Sequence, residues 1–298
     1  MINRTFPVIV AYKDIFGLQK CLKFINYQTN PINDVIIIDN SRCIDPVILS
    51  WKSVSEKPFK IHLYTSEDNL GSAGGFSLGM KKAFDEGAEW IWLHDEDDYP
   101  EKDCLEKLLK DGKGFIRAPV IKDPETGRVL NYFKRNKGML GYMYPAPADA
   151  DIVNAAGTAG LLIHRKVIEE IGIYDPSFFV GFEDWDYCLR AAKKGFKVHV
   201  VKTAIVYHPD HQSLRNRFIK EKILKYLPPI FGFIRKGNIR DEFAVKNIIT
   251  LTQRHMSSYV MPFSLILSIL SLPLFKIINR NANIFLTLKT YLKSLCAE

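Results

Sequence analysis

Residues 90–100 read Trp-Ile-Trp-Leu-His-Asp-Glu-Asp-Asp-Tyr-Pro, an apolar strand-like run that breaks into four successive carboxylates. Carboxylates crowded at a strand end repel one another and raise each other's pKa unless a cation sits among them. Asp95 and Asp97 stand two apart, so an extended segment points both the same way. Such a pair suits oxygen ligation of Mg²⁺ or Mn²⁺ rather than thiolate or imidazole ligation of zinc. The competing reading is a solvated acidic turn closed by Pro100.

The flanking chain alternates strands and helices. Val8-Ile9-Val10-Ala11-Tyr12 is strand-like and precedes a helical pattern at Leu18, Cys21, Leu22, Phe24 and Ile25. Val35-Ile36-Ile37-Ile38 follows and ends in Asp39-Asn40-Ser41. Continuous apolar runs separated by helices predict a parallel sheet buried on both faces, and ligands of such sheets gather at the carboxyl ends of the strands. Asp39, Asp95 and Asp97 all fall at such ends. Ile61-His62-Leu63-Tyr64-Thr65 leads into Asn69-Leu70-Gly71-Ser72-Ala73-Gly74-Gly75 and a helix through Leu78, Lys82, Ala83 and Phe84. The glycines either bring backbone amides and the positive end of a helix against a ligand or only make a tight connection.

Further on, Asn154-Ala155-Ala156-Gly157-Thr158-Ala159-Gly160 precedes strand-like Leu161-Leu162-Ile163-His164. A helix starting near Asp184 would pair Asp186 with Arg190 and leave Glu183 and Asp184 at its positively polarised end. Structural roles, an N-cap for Asp184 and an ion pair for Asp186, compete with functional ones. Two short strands, Val198–Val201 and Ala204–Tyr207, end at His208, a turn histidine unless the fold carries it to the acidic site.

Composition narrows the class. With 298 residues and 47% hydrophobic content, the chain can bury a full core in one large domain plus an appendage. Cys21, Cys43, Cys104, Cys188 and Cys296 are odd in number, scattered and without a CxxC, which fits a reducing, cytoplasmic setting rather than a disulfide framework or zinc cluster. The N-terminus enters a strand without the apolar core of a signal peptide. The formal charge of +8 is uneven: up to Asp210 there are 27 Lys and Arg against 29 Asp and Glu, and from His211 onward 14 against 4. The positive tail also holds an uncharged run, Met256 to Phe275, whose serines and prolines suit lying in a membrane interface better than spanning it. Ile284, Leu288, Tyr291, Leu292 and Leu295, with Lys289 and Lys293 among them, read as a basic amphipathic helix for anionic lipid. An ordinary capping helix or a homo-oligomer contact is the alternative. Charge alone would allow nucleic acid as a partner, but no binding motif accompanies it.

The ordered set Val8–Tyr12, Ile36-Ile37-Ile38-Asp39-Asn40-Ser41, Asn69–Gly75, Asp95-Glu96-Asp97, Gly157–Ile163, Glu183-Asp184-Trp185-Asp186 with Arg190, and Tyr207-His208 resembles the inverting family 2 glycosyltransferases. Within them it is similar to the galactofuranosyl- and rhamnosyltransferase branch, over roughly residues 5–210. The resemblance implies a GT-A, Rossmann-like nucleotide-sugar-binding α/β fold over residues 1–210, with a mainly parallel mixed sheet; the charge and apolar runs beyond it read as a helical C-terminal region over 211–298 for the membrane surface. It implies that Asp39 contacts the nucleotide, that Asn69, Gly71, Gly74 and Gly75 line the nucleotide-sugar site, and that Asp95 and Asp97 hold Mn²⁺ or Mg²⁺ with His208 as third ligand. Asp184 corresponds to the general base, with Trp185, Gly157, Thr158 and Glu183 on the sugar and acceptor side and Asp186 and Arg190 as buttresses. Glu96, on the donor side, stands where the galactofuranosyl branch often has a third aspartate.

The implied donor is UDP-galactofuranose or, second, dTDP-rhamnose. The implied acceptor is a polyprenyl-diphosphate-linked glycan at the cytoplasmic face of the membrane. Two carboxylate-metal roles fit that chemistry: a metal neutralises the leaving diphosphate, and one base suffices for inversion. Glycoside hydrolysis needs neither a metal pair nor a nucleotide loop. A nucleotidyltransferase should show a basic activating motif near the N-terminus, which residues 8–17 lack. A non-catalytic sugar-nucleotide-binding protein has no need of Asp95, Asp97, Asp184 and His208 together.

Overall fold

The apolar runs become the strands of one mixed, mainly parallel sheet. In the computed structural model, which describes residues 4–44, 59–110, 113–130, 132–135, 143–147, 149–209 and 239–255, the strands are β1 (Thr5–Ala11), β2 (Asp34–Asp39), β3 (Lys60–Thr65), β4 (Trp90–Asp95), β5 (Tyr99–Pro100), β6 (Ile116–Lys122), β7 (Val129–Leu130), β8 (Tyr132–Arg135), β9 (Met143–Pro145), β10 (Ile152–Val153), β11 (Ala155–Ala156), β12 (Leu162–His164) and β13 (Val198–Tyr207). The helices are α1 (Ile15–Asn26), α2 (Gly71–Asp85), α3 (Cys104–Lys110), α4 (Arg165–Ile171), α5 (Glu183–Lys193) and α6 (Ile239–His255). The basic and apolar tail segments read from the sequence at 256–275 and 284–295 lie outside the described residues.

The main sheet runs in the order β10-β13-β6-β12-β4-β1-β2-β3. β1, β2, β3 and β4 are mutually parallel, and β12 is antiparallel to both β4 and β6. β13 then pairs in parallel with β6. Every residue of β1 is buried, as a strand covered on both faces requires, and this explains why it reads as unbroken apolar sequence. Asp39 and Asp95 end β2 and β4 on either side of β1, so the carboxyl edge of the sheet collects both.

Two local findings revise the sequence reading. β13 is one strand rather than two, its register against β6 shifting between Val201 and Ile205. The irregularity absorbs extra residues at Lys202–Ala204 without ending the ladder, and the strand continues to Tyr207. The glycine stretch is also not a loop before a helix, because α2 itself begins at Gly71. Gly75 and Gly79, one helical turn apart, face β1: a Cβ on Gly75 would lie 2.7 Å from Val10 Cγ1, and one on Gly79 2.3 Å from Val8 Cγ1. Close approach of helix to sheet is therefore what these two glycines provide.

The chain divides into two units, one of Met1–Phe133, Pro145–Phe179 and Glu183–Asp210, the other of Lys134–Tyr144, Val180–Phe182 and the chain from His211. Within the second, Asn247 of α6 is buried, and its Nδ2 donates to the carbonyls of Val180 at 3.1 Å and Gly181 at 2.8 Å.

Helix propensity alone makes Gly79→Ala favourable by about 1 kcal/mol, whereas the clash with Val8 makes it unfavourable by about 1–3 kcal/mol. Gly79→Ala is predicted to lower the urea midpoint with an unchanged m-value. A stabilised variant would show that α2 does not pack as described.

Candidate active site

The acidic stretch is a turn, not an extended segment. β4 stops at Asp95, and the Asp98 backbone N–H donates to the Asp95 carbonyl at 3.2 Å, so the same-side argument for Asp95 and Asp97 does not apply. What replaces it is a fully buried carboxylate. Asp98 accepts the Asp95 N–H on Oδ2 at 2.8 Å, while its Oδ1 lies 2.8 Å from His208 Nδ1. The same Oδ2 faces His94 Nδ1 at 3.4 Å. Asp98 closes the turn backward onto the Asp95 N–H, and no spacing rule marks it out from Asp97 in the sequence.

His208 arrives from the far side of the sheet. β5 pairs with the end of β13, Tyr99 against Tyr207, and the His208 N–H donates to the Lys122 carbonyl at 2.9 Å. The imidazole thereby meets Asp98 at 2.8 Å and Asp97 at 3.5 Å. Ligand-capable atoms of Asp95, Asp98 and His208 lie within 4.8 Å of one another, whereas the spacing argument selected Asp97 in place of Asp98. Two carboxylates and an imidazole form a donor set of the kind that takes Mn²⁺ or Mg²⁺. In a neutral imidazole whose Nδ1–H points at Asp98, the lone pair is on Nε2, the arrangement by which carboxylates orient metal-binding histidines.

The electrostatics carry the mark of this crowding. Burial raises the Asp95 carboxyl well above the usual range, and the charges of Asp98, Asp97 and Glu183 add to it while His208 opposes them. Burial alone would favour the neutral His208 ring, but the hydrogen bond and charge of Asp98, with Asp97 and Asp95 behind it, lift its pKa to about 10. Glu96 is pushed up to about 7 by burial even though its Oε2 accepts the Tyr12 N–H at 2.7 Å. That bond ties the acidic turn to the end of β1.

The second carboxylate group begins α5. Asp186 and Arg190 pair as the spacing predicts, Nε to Oδ2 at 2.8 Å, and the guanidinium also donates to the carbonyls of Ile171 and Ile173 at 2.7 and 2.8 Å. The helix is thus fastened to the loop after α4. Glu183 is its first residue, so Asp184 sits inside the first turn and is not an N-cap. The Glu183 carboxylate accepts the Ser72 hydroxyl of α2. Burial and the neighbouring charge of Glu183 raise Asp184 to about 8. Glu183 therefore acts on both Asp95 and Asp184, which joins the two carboxylate groups into one electrostatic region.

Several other residues singled out in the sequence already have protein partners. Asp39 is buried, with Oδ1 accepting the Ser41 N–H, the Ser41 hydroxyl and the Arg42 N–H at 2.7, 2.9 and 2.8 Å. Asn69 Oδ1 accepts the Gly71 N–H at 2.9 Å, and the Phe179 carbonyl accepts the Ala73 N–H at 3.0 Å, so two amides of the α2 start are already used. Gly71 adopts a φ of +68° under that same Phe179 carbonyl, and a Cβ on Gly74 would press on Leu70. Gly157 is buried beside Thr158, whose hydroxyl lies 3.3 Å from Tyr174 Oη. The Trp185 ring is largely buried, its centroid 4.3 Å from that of Phe133.

A mainly parallel α/β sheet with ligand-capable carboxylates and a histidine at its carboxyl edge is the architecture this chain shares with known glycosyltransferases. The family model "Glycosyl transferase family 2" matches residues 8–113. Galactofuranosyltransferase GlfT1 of Mycobacterium tuberculosis (strain ATCC 25618 / H37Rv) is 35% identical over 223 residues, covering 70% of this chain and 71% of that protein. The dTDP-rhamnosyl transferase RfbF of Shigella flexneri is 23% identical over 155 residues, covering 50% and 52%. The crystal structure of GalNAc-T7 with UDP, GalNAc and Mn²⁺ superposes with a TM-score of 0.55 at 15% identity, over 69% of this chain and 43% of that one. The chain belongs to the family 2 glycosyltransferases.

Because Asp98 is a buried, doubly engaged carboxylate and Asp97 is partly exposed, the two should separate in stability. Asp98→Ala is predicted to cost about 3 kcal/mol by leaving the partly buried His208 imidazole and the Asp95 backbone N–H without their partner. Asp97→Ala should change stability by less than about 0.5 kcal/mol. Equal losses in chemical denaturation would contradict the bracing role of Asp98.

Proposed function

We propose that the protein is a metal-dependent, inverting hexosyltransferase that passes galactofuranose from UDP-galactofuranose to a hydroxyl of a growing, lipid-linked bacterial surface glycan. The reading rests on the ligand-capable cluster of Asp95, Asp98 and His208 at the carboxyl edge of the sheet, together with Asp184, which burial raises to about 8 and whose neighbour Glu183 also acts on Asp95. The donor choice is supported by the longer and closer likeness to GlfT1 than to RfbF. A second reading, dTDP-rhamnose as donor, is favoured by the likeness to RfbF. We read residues 1–210 as the catalytic region and 211–298 as an extension that meets the membrane surface or another copy of the chain. The cytoplasmic face is the side where nucleotide sugars would be met. Among the described residues no helix is long and apolar enough to cross a membrane.

Asp95, His208 and Asp97, 3.5 Å from the His208 ring, would hold the ion, while Asp98, engaged by the Asp95 N–H and His208 Nδ1, fixes that ring. Bound Mn²⁺ or Mg²⁺ supplies Lewis acidity that neutralises the departing diphosphate; GalNAc-T7 was solved with Mn²⁺. Asp39, Asn69, Gly71, Gly74, Gly75 and Glu96 would border the donor, and Gly157, Thr158, Glu183 and Trp185 the sugar and acceptor. Asp184 takes the proton of the acceptor hydroxyl as that oxygen attacks the anomeric carbon. A single displacement inverts the centre and needs no covalent intermediate. Ser72 and the Asp186–Arg190 pair hold this helix in place for the transfer.

The sign of the pH dependence follows from the base. A carboxylate raised to about 8 is protonated below that pH and competent above it, so kcat/KM is predicted to rise through the neutral range toward pH 8. Asp184→Asn should lower turnover by about 10²- to 10⁴-fold with donor affinity nearly unchanged, and should abolish that pH limb. Transfer that persists in EDTA would overturn metal dependence, and wild-type turnover in Asp184→Asn would move the base elsewhere.

A further inference from the structure

The described surface carries six large exposed hydrophobic residues, and three of them, Tyr12, Phe16 and Tyr27, fall on or beside α1. Such clustering separates them from the singly scattered apolar residues that any surface shows. On the helix, Phe16, Lys20, Lys23 and Tyr27 follow at intervals of four, three and four, which keeps them within an arc of about 60°. Phe16 is 84% exposed, Tyr27 56% and Tyr12 45%. Lys13, Lys20 and Lys23 are exposed beside them. The Lys13 ammonium lies 4.9 Å from the centre of the Tyr12 ring, and that of Lys23 5.9 Å from Tyr27.

α1 contains no acidic residue. The Asp14 carboxylate just before it accepts the Gly17 N–H at 2.9 Å, and that of Glu96 accepts the Tyr12 N–H at 2.7 Å. The opposite face, with Leu18, Cys21, Leu22 and Ile25, is fully buried, so the outward stripe contributes nothing to the core. A helix with an apolar tip, flanking tyrosines and interleaved lysines is the pattern of an interfacial element, whose rings sit at headgroup level while long lysine stems reach the phosphates.

We propose that this face of α1 docks on an anionic phospholipid surface, with Phe16 entering the headgroup boundary and Lys13, Lys20 and Lys23 among the phosphates. A nucleic acid backbone would engage the lysines and leave Phe16 in water. A bilayer interface engages both. Since the Glu96 bond ties Tyr12 to the acidic turn, α1 starts at the carboxyl edge of the sheet, and docking along it keeps that edge near the membrane. The inference uses only catalytic-region residues and is independent of the donor, the acceptor and the chain beyond His211.

The test is sedimentation of full-length protein with vesicles of phosphatidylcholine alone or mixed with phosphatidylglycerol. No glycan or donor is present, so the outcome does not depend on which sugar is transferred. Wild-type protein should bind the mixed vesicles and be released by salt. The triple variant Phe16→Ser, Lys20→Glu, Lys23→Glu should bind at least about tenfold more weakly, given about 1 kcal/mol per lysine near an anionic surface. Lys81→Glu with Lys202→Glu, which makes the same change in net charge elsewhere, should bind like wild type. Phe16→Trp should show blue-shifted emission quenched by brominated phosphatidylglycerol. Undiminished binding of the triple variant, or the absence of that quenching on bound protein, overturns the proposal. So does a stripe whose mutation dissolves a dimer without weakening vesicle binding.

Discussion

A single buried carboxylate closes the carboxyl edge of the sheet. Asp98 bonds the backbone at the end of β4 with one oxygen and the imidazole beyond β13 with the other. β12 and β6 separate those two strands in the sheet, so neither end has a reason of its own to meet the other. The short β5 brings Tyr99 beside Tyr207, and the buried Asp98 completes the closure with a hydrogen bond to the partly exposed His208 ring. Once it is made, ligand-capable atoms of Asp95, Asp98 and His208 lie within 4.8 Å of one another, with Asp97 3.5 Å from the His208 ring. Everything proposed about the reaction depends on this closure.

The rest of the edge is built to keep unfavourable charge in place. Asp95, Glu96 and Asp184 are each held above their ordinary pKa by burial, and Glu183 adds to two of them. Such crowding lowers stability, and surrounding structure must hold it together. Arg190 does so for α5 by gripping Asp186, the carbonyl of Ile171 at the end of α4 and that of Ile173 beyond it. Ser72 does so for Glu183, and the Tyr12 N–H for Glu96. Within the second unit, Asn247 donates to the carbonyls of both Val180 and Gly181.

Much of the fold was legible because its strands are buried on both faces and therefore apolar without interruption, β1, β2 and β4 above all. The Asp186–Arg190 pair was legible because helical periodicity alone places the two side chains together. Where reading failed, a local rule met a tertiary constraint. The glycine stretch read as a loop ahead of a helix, but α2 begins at Gly71, and Gly75 and Gly79 lie against the sheet beneath them, a contact that no local pattern reveals. Asp95 and Asp97 suggested a pair on one face of an extended segment, but the strand ends at Asp95 and a turn follows. Asp98 was passed over because its role depends on His208, 110 residues away. The split of β13 into two strands followed the polar Lys202 and Thr203, which the structure accommodates as an irregularity within one strand.

The central claim is that the Asp95, Asp97 and His208 edge, held by Asp98, takes a divalent ion together with a nucleoside diphosphate. Electron paramagnetic resonance of Mn²⁺ titrated with the protein, with and without UDP, tests it most directly. The account predicts that the signal of the free aqueous ion falls on addition of wild-type protein, falls further with UDP, and is unaffected by a His208→Ala, Asp95→Ala variant. A free-ion signal that stays at full height with wild-type protein and UDP, or one that the double variant suppresses equally, would contradict it.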